Sequence, residues 1–200
     1  MKILKGKNIT TEIIEQALNL DWSCYPREYW LTLDKCKDYF SVNNDIYIAL
    51  VDGDELIGYI NFSPITDEAY DKIRSGSCND TCLDGDDIVP FDKRGLYNGY
   101  FSSIVVKSEY RNKNYAALLM NEFFKHLTEL AEKGIVFSRI VADVLSDGGR
   151  RLLEKFGMTK VNDRITYSNI YEVQLFQDNA NLTGQAKELS EIYKRMNING

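Results

Sequence analysis

A short basic turn, with Arg111, Asn112, Lys113 and Asn114 in succession, separates an apolar segment from a long helix-forming segment. The first four N–H groups of a helix have no partner inside the helix, and together with the helix dipole they attract phosphate. The two cations add full positive charge, and asparagine tolerates the left-handed backbone angles that direct successive amides toward one anion. Ala116 keeps the first helical turn small enough for a close approach. The turn therefore predicts either a phosphate site or a plain solvated cap.

The first half of the chain predicts helices followed by a hairpin. Threonine is a common N-cap, apolar residues then recur at helical spacing, and an Asp-Gly pair supplies the positive φ angles of a tight turn. The predicted elements are a short strand over 2–5, a helix capped by Thr10 or Thr11, a second helix over 27–40, a hairpin of strands 46–51 and 55–62 around Asp52-Gly53, and an irregular inserted loop or lid over 65–98. This order places the hairpin at the start of a sheet.

In the second half, strands alternate with helices. The predicted elements are a strand over 99–106, a helix over 114–133 ended by Gly134, a strand over 135–144, a helix capped by Ser146 or Asp147 that ends near Gly157, strands near 158–165 and 169–176, and an amphipathic helix or loose tail over 184–196. Alternation of this kind, combined with an opening hairpin, indicates a mixed α/β sheet in one domain.

The composition narrows the choice of partners. The chain has 200 residues, of which 44% are apolar and 27% charged, and its formal net charge is −6. An acidic balance disfavours nucleic acid as the main partner, because phosphate binding draws on clustered Lys and Arg, and it is compatible with a cationic acceptor. No apolar run is long enough to cross a bilayer, and no export signal is evident. We therefore expect a cytoplasmic protein with no membrane partner.

The remaining polar residues do not predict a metal. The four cysteines favour reduced thiols over a disulfide framework. Cys78 and Cys82 lack the further ligands of a tetrahedral zinc site, and the acidic run Asp84–Asp87 lacks the closing Glu of a calcium loop. His126 falls within the long predicted helix, where a packing or surface role outweighs catalysis. We therefore expect no metal cofactor.

Two segments carry a family resemblance. The first, VVKSEYRNKNYAALL, resembles the acetyl-CoA-binding segment of GNAT-type N-acetyltransferases, whose pattern is Arg/Gln-x-x-Gly-x-Gly/Ala between the fourth strand and a long helix. Arg111 and Ala116 match this pattern, whereas Asn114 stands where glycine is usual. The second, ADVLSDGGRRLLEKFGMTKV, resembles the family's strand and short helix ending in Glu-Lys-x-Gly-Phe/Met. Its matching positions are Glu154, Lys155, Gly157 and Met158. The resemblance covers most of residues 9–177.

The resemblance implies a GNAT fold of the α/β class. This fold is a single mixed, mostly antiparallel sheet flanked by helices and splayed at the fourth and fifth strands; here it would span 1–177, with a C-terminal helix or tail over 178–200. The implied cosubstrate is acetyl-CoA, with its pantetheine inserted in the splay as a pseudo-strand and its pyrophosphate on the amides of the basic turn. The implied cofactor-binding residues are Ile104, Val105, Val106, Arg111, Asn112, Lys113, Asn114, Tyr115, Ala116 and Ser146.

The implied reaction is transfer of an acetyl group to a primary amine by direct attack. The amine must lose a proton, and the backbone N–H of Val106 would stabilise the oxyanion of the tetrahedral intermediate. The family's usual acid for the departing thiolate is a tyrosine in the short helix, and Leu153 occupies that position here. Tyr100 and Ser102 alternate on the fourth strand, where relatives place a base or a water relay. Asp143 and Tyr25 are weaker candidates. Deprotonation of the amine through water and an unassisted departure of the thiolate both stay open.

Leu153 also motivates an alternative, a catalytically weak acyl-CoA-binding or regulatory module of the same fold. The acceptor of an active enzyme would be a small-molecule or peptide amine, and the acidic composition is compatible with a cationic acceptor. Pairing of two copies through the C-terminal strands or tail stays open as well.

Overall fold

A computed structural model describes residues 1–163, 168–176 and 182–196. Seven strands form one sheet in the order β1-β2-β3-β4-β5-β7-β6. They are β1 (Lys2–Lys5), β2 (Tyr47–Asp52), β3 (Glu55–Ile65), β4 (Gly95–Val106), β5 (Ile135–Val144), β6 (Thr159–Asp163) and β7 (Asn169–Gln174). The β4–β5 pair is parallel and the other pairs are antiparallel. This is the mixed, mostly antiparallel sheet that the family resemblance implied.

Helices cover both faces of the sheet. They are α1 (Thr11–Cys24), α2 (Leu33–Val42), α3 (Asp67–Arg74), α4 (Tyr115–Glu132), α5 (Asp147–Phe156) and α6 (Gly184–Arg195). One apolar core lies between the sheet and α4, α5 and α6, and a second lies between the sheet and α1, α2 and α3. Residues of β4 alternate between the two cores, so this strand carries side chains to both sides of the sheet.

Local signals account for most element boundaries. The Thr10 side chain accepts a hydrogen bond from the amide of Ile13 and caps α1. The hairpin turns at Gly53, whose φ is +60°, and α4 is followed by Gly134 at φ +84°. These predictions are confirmed, as are the strand over 135–144 and the helix at the C-terminal end of the described chain. Residues 164–165 of one predicted strand, and the predicted boundary at 177, lie outside the described residues.

Two predicted elements were wrong in part. The helix expected over 27–40 is a 3₁₀ turn at Arg27–Tyr29 followed by α2, because the Thr32 side chain accepts from the amide of Lys35 and starts a new helix there. The segment 65–98 is not irregular throughout, since it contains α3 and the first residues of β4. Thr66 caps α3, and one face of that helix is buried in the core. A helix this short in a polar segment gives a weak periodic signal.

The expectation of reduced thiols was also wrong for one pair. Cys78 and Cys82 are joined by a disulfide, whereas Cys24 and Cys36 are free. The bond closes the loop around a 3₁₀ turn, Asp80–Cys82, that leads toward the functional region described below.

In the described part of the chain, no helix is long and apolar enough to cross a membrane.

Candidate active site

The sheet opens between its two parallel strands. The parallel pairing of β4 and β5 ends at Phe101 and Ala142. Beyond that point β4 continues to Val106 alongside β3, while β5 continues to Val144 alongside β7. The two strands therefore diverge over their last residues, and a gap forms in the middle of the sheet.

A β-bulge lies where the gap begins. In the β3–β4 ladder Asn61 pairs with Ser103 and the next residue, Phe62, pairs with Phe101, so Ser102 is the extra residue of the bulge. A bulge redirects the side chain that it carries. Ser102 lines both the gap and a recess on the α1 side of the sheet.

The backbone of β4 presents alternate residues to the gap. The amide of Lys107 donates to the carbonyl of Ile57, so the pattern of an antiparallel ladder directs the peptide groups of Val105 toward β3. The N–H and C=O groups of Ile104 and Val106 then point the other way, into the gap. A ligand pairing with this edge would meet Ile104 and Val106, and the prediction that Val105 also pairs with it does not agree with this geometry.

The walls of the gap are mostly apolar. They include Phe101, Ile104, Val144 and Leu153, and Leu153 is only 3% exposed. Ser146 lies in the same wall and accepts a hydrogen bond of 3.0 Å from the amide of Gly149, which caps α5. A hydroxyl that accepts one hydrogen bond can still donate its proton, so the cap does not prevent Ser146 from contacting a ligand.

The basic turn has the conformation that its asparagines suggested. Asn112 and Asn114 have φ values of +62° and +61°, the only left-handed non-glycine residues in the part of the chain that the structure describes. Asn114 is the N-cap of α4 without capping it through its side chain, and the first turn of α4 carries no acidic residue. The first amides of an 18-residue helix are therefore left without an internal anionic partner.

A cavity of about 440 Å³ opens at this helix end. Val106, Arg111, Asn112, Asn114, Tyr115 and Ala116 of the predicted set line it. Lys113 does not line it, and its ammonium lies 5.1 Å from the centre of the Tyr110 ring. Two cations missing from the prediction do line it, Arg151 and Lys155. They are four residues apart on α5 and so share a face, a spacing that the sequence displayed.

Arg111 joins the cavity to the gap. Its Nε donates to the carbonyl oxygen of Val106 at 3.2 Å, and a terminal nitrogen lies 3.5 Å from the Sγ of Cys24. The guanidinium is thus held at the open end of β4, next to the C-terminal end of α1. Arg111 also lines the cavity, where an anion could accept from its remaining N–H groups.

On the opposite face of the sheet, three carboxylates line a small recess. Asp21 comes from α1, Asp80 from the disulfide-closed turn and Asp143 from the end of β5. The Ser102 hydroxyl donates to Asp80 at 2.9 Å, and the Tyr29 hydroxyl donates to Asp143 at 3.1 Å. Among the described residues no Lys or Arg lines this recess. It shares Ser102 and Asp143 with the gap, so the two spaces adjoin.

Burial perturbs two of these acids. It raises the pKa of Asp21 to about 7, with the charge of Asp80 adding to the effect and a hydrogen bond with Tyr59 opposing it. Burial likewise raises the pKa of Asp80 to about 6, against the hydrogen bond from Ser102. Each acid is therefore poised to exchange a proton near neutral pH.

The predicted catalytic side chains meet at this recess. Tyr100, 2% exposed, and Ser102 both line it, as do Tyr25 and Asp143. Burial raises the pKa of the Tyr25 phenol, so that it stays protonated at neutral pH. Asp21 and Asp80 were not predicted: one lies on a helix face and the other in an irregular segment, and nothing in their spacing links them.

The residues that the sequence excluded as metal ligands or as a catalytic histidine do not line the gap, the cavity or the recess. His126 is buried in α4, where burial lowers its pKa. Asp84 and Asp87 cap a short 3₁₀ turn through each other's backbone and side chains. Among the described residues, no group of three or more His, Cys, Asp or Glu side chains is placed to hold a metal ion.

Solved structures share this fold at low sequence identity. The chain resembles a GNAT-like decarboxylase, GphF, in complex with isobutyryl-CoA (12% identity, TM-score 0.61, covering 87% of this chain and 99% of that one). It also resembles an aminoglycoside 6′-N-acetyltransferase complexed with coenzyme A (15%, 0.56, 90% and 99%). A third is the NatC complex bound to Gag peptide and CoA (14%, 0.55, 86% and 96%). At such identities the likeness concerns the fold.

The sequence itself identifies the family. No curated protein matches the chain. The model of the Acetyltransferase (GNAT) family matches residues 12–158, a range that includes the gap, the basic turn and all three acids of the recess. The chain therefore belongs to the GNAT acetyltransferase family.

Proposed function

We propose that this protein is an N-acyltransferase that moves an acetyl group from acetyl-CoA to a primary amine. One observation carries the proposal: a cationic cavity at an open helix N-terminus and an acidic recess on the other face of the sheet adjoin the same gap. The cavity suits the phosphates of coenzyme A, and the recess suits an amine. The thioester would lie between them.

The phosphate groups would bind at the start of α4. The amides of residues 112–116 supply unpaired donors, and Arg151 and Lys155 supply charge from the facing helix. Pantetheine would extend along β4, pairing with the peptide groups of Ile104 and Val106, and the Ser146 hydroxyl would donate to it from the other wall. Ile104 and Val106 offer apolar side chains and backbone hydrogen-bond groups, and Ser146 offers a hydroxyl donor. These properties suit the pantetheine chain.

The chemistry would take place where the gap meets the recess. The N–H of Val106 points into the gap and would stabilise the oxyanion of the tetrahedral intermediate. Leu153 offers no proton to the departing sulfur, but the Tyr25 phenol lines both the gap and the recess. We assign Tyr25 the role of hydrogen-bond donor to the leaving thiolate, from the side of the sheet opposite to α5.

A binding experiment tests the cofactor half of the proposal. Titration calorimetry with acetyl-CoA is expected to show micromolar affinity that weakens at least tenfold, or ~1.4 kcal/mol, in Arg151→Ala. Arg150→Ala is the matched control, because Arg150 is the adjacent residue of α5 but pairs with Asp147 and Glu154 instead of lining the cavity. Absence of binding by the unmodified protein, or equal losses in both variants, would contradict the proposed site.

A turnover experiment separates an enzyme from a binding module. Release of the coenzyme A thiol is measured with acetyl-CoA alone and with a panel of primary amines that includes diamines, aminoglycosides and basic peptides. An acetyltransferase releases thiol faster with at least one amine. Tight binding of acetyl-CoA without any amine-dependent release would favour the alternative, an acyl-CoA-binding module.

A further inference from the structure

The acidic recess contains oxygens that need a hydrogen-bond donor. One carboxylate oxygen of Asp21 and one of Asp80 are covered by protein and have no hydrogen-bond partner among the described residues. The second oxygen of Asp80 accepts from Ser102. Burying an oxygen of an acid without a donor costs more than leaving it in water. Two such oxygens in one recess therefore indicate a binding site for a hydrogen-bond donor that comes from outside the protein.

The charges around the recess point to a cation. Asp21, Asp80 and Asp143 converge from three separate elements, and no basic side chain of the described residues lines the space. One cation that acts on Asp80 is Lys35, whose ammonium donates to the carbonyl of Thr81 at 2.6 Å. Lys35 thus stands beside the disulfide-closed turn and does not fill the recess. When these acids are ionised, a donor that also carries positive charge would balance them.

The size of the recess restricts that cation. It leaves room for a single group of the size of water, about 10 Å³. An –NH₃⁺ group at the end of an unbranched chain has this size, and its three N–H donors match a set of carboxylate and hydroxyl oxygens. A quaternary ammonium is too large and has no N–H to donate.

We propose that the recess binds the reacting ammonium of the acceptor and that Asp80 removes its proton. The inference rests on the proposed function, and it names the part of the acceptor that the enzyme recognises: an unhindered terminal primary ammonium. Ser102 links Asp80 to the gap, since its hydroxyl donates to Asp80 and its side chain lines both spaces. Ser102 is then a positioning residue for Asp80.

The proposed step balances. The ammonium gives one proton to Asp80, and the freed lone pair forms the C–N bond with the thioester carbonyl carbon. When the tetrahedral intermediate collapses, the C–S bond breaks with its electron pair on sulfur, and the second proton lost by nitrogen neutralises the thiolate. Asp80 then releases its proton to solvent. The products are the N-acetyl amide, the coenzyme A thiol and one proton.

The first test uses the unmodified protein and two small cations. Thermal unfolding is measured at pH 8 in ethylammonium chloride and in tetramethylammonium chloride at equal ionic strength, with coenzyme A present in both. Ethylammonium is expected to raise the melting temperature by about 2 °C or more over tetramethylammonium, since only a bound cation stabilises the folded state. Equal melting temperatures in the two salts would overturn the inference.

The second test uses Asp80→Asn with Asp86→Asn as the matched control. Asp86 is exposed and lies in the next turn of the same loop, so its substitution makes the same change of charge outside the recess. In Asp80→Asn the ethylammonium effect is expected to disappear, and acetylation of the best amine of the panel to slow ~10²–10⁴-fold at pH 7. That deficit should shrink as the pH approaches the pKa of the amine, near ~10.4, where free amine no longer needs a base.

The outcomes distinguish the two proposals. If Asp80→Asn binds acetyl-CoA normally but acetylates the amine as fast as the control, the inference fails while the proposed function stands. A deficit that is constant with pH would show a structural role and would also overturn it. If the unmodified protein does not bind acetyl-CoA, the proposed function fails, and the inference that rests on it fails as well. Should Asp80→Asn not fold, the comparison of the two cations still decides the question.

Discussion

The two sides of the split sheet differ in charge, exposure and construction. On the α4 side, cations and backbone amides surround an open cavity of about 440 Å³, and they come from two continuous stretches of chain. On the α1 side, three acids surround a closed space that fits one small group, and they lie at positions 21, 80 and 143. An extended polyanion can be bound by hydrogen-bond donors on an open surface. Recognition of a single ammonium group requires an enclosed pocket of matching size and hydrogen-bond acceptors.

The contrast also separates affinity from proton transfer. Exposed cations around a phosphate act mainly through charge, which salt screens. Asp21 and Asp80 act through raised pKa values caused by burial, and salt screens such buried groups less. Variants on one side of the sheet should therefore alter acetyl-CoA affinity, and variants on the other should alter stability, amine binding and rate.

The largest effect is expected from Asp21→Asn on stability at alkaline pH. The pKa of Asp21 is raised to about 7 in the folded protein, against 3.8 for an ordinary Asp, so the folded state holds a proton that the unfolded state loses. The free energy of unfolding therefore falls as the pH rises from about 4 to 7, and above 7 the full cost of a buried charge is present. Asparagine removes that cost, by at most ~4 kcal/mol.

The measurement is urea unfolding of the parent and of Asp21→Asn from pH 4 to pH 8. The gain of the variant should be near zero at pH 4 and greatest at pH 8. Asp86→Asn, exposed to solvent, should show no such trend. A gain of the same size at every pH would mean that Asp21 carries no perturbed charge, and the contrast between the two sides would weaken.

Next in size is the effect of a negative charge placed in the cationic cavity. Ala116→Glu puts a carboxylate at the first turn of α4, where it would repel the phosphates of acetyl-CoA and occupy the unpaired amides. We expect acetyl-CoA to bind ~100-fold more weakly by calorimetry, or ~2.7 kcal/mol. Ala116→Gln has the same size without the charge and should lose much less. Equal losses in Glu and Gln would show that space, and not charge, limits binding at this helix end.

A smaller effect is expected from Tyr25→Phe. The Tyr25 phenol lines both the gap and the recess and forms a hydrogen bond with Ser103. Loss of the donor to the leaving sulfur should lower kcat about tenfold, or ~1.4 kcal/mol, with the Kd for acetyl-CoA unchanged. Tyr97→Phe, which removes a hydroxyl bonded to the carbonyl of Lys93 far from the gap, is the control. A weaker Kd with unchanged kcat would place Tyr25 in the cofactor half of the site.

The smallest effect is expected from Asn114→Gly. Asn114 is held at φ +61°, an angle that glycine adopts without strain. The variant should be as stable as the parent or more stable by up to ~1 kcal/mol, and its affinity for acetyl-CoA should change less than twofold. Asn114→Ala should lose ~1 kcal/mol of stability through backbone strain. A marked loss of affinity in the glycine variant would mean that the amide side chain binds the ligand.

The order of elements followed from short-range chemistry. Thr10 as a cap, Gly53 in a hairpin turn and the periodic apolar face of α4 each act within a few residues, so their signals are complete in the sequence. The α3 helix was not predicted because eight residues in a polar segment give only a weak periodic pattern of apolar residues. The burial of its apolar residues depends on the sheet beneath them. The disulfide was missed because the composition favoured reduced thiols, although Cys78 and Cys82 lie only four residues apart.

By itself the sequence determined most of the cationic cavity, the proposed cofactor side of the site. The basic turn, its left-handed asparagines and the cations of α5 lie in two stretches whose geometry is set by strand-to-helix connections. Only the tertiary structure decided the acidic recess, the proposed acceptor side. Asp21, Asp80 and Asp143 meet because a helix, a disulfide-closed turn and a strand end pack against one bulge in β4. Burial and mutual repulsion then raise the pKa values of Asp21 and Asp80, and these effects exist only where chain segments remote in sequence exclude water together.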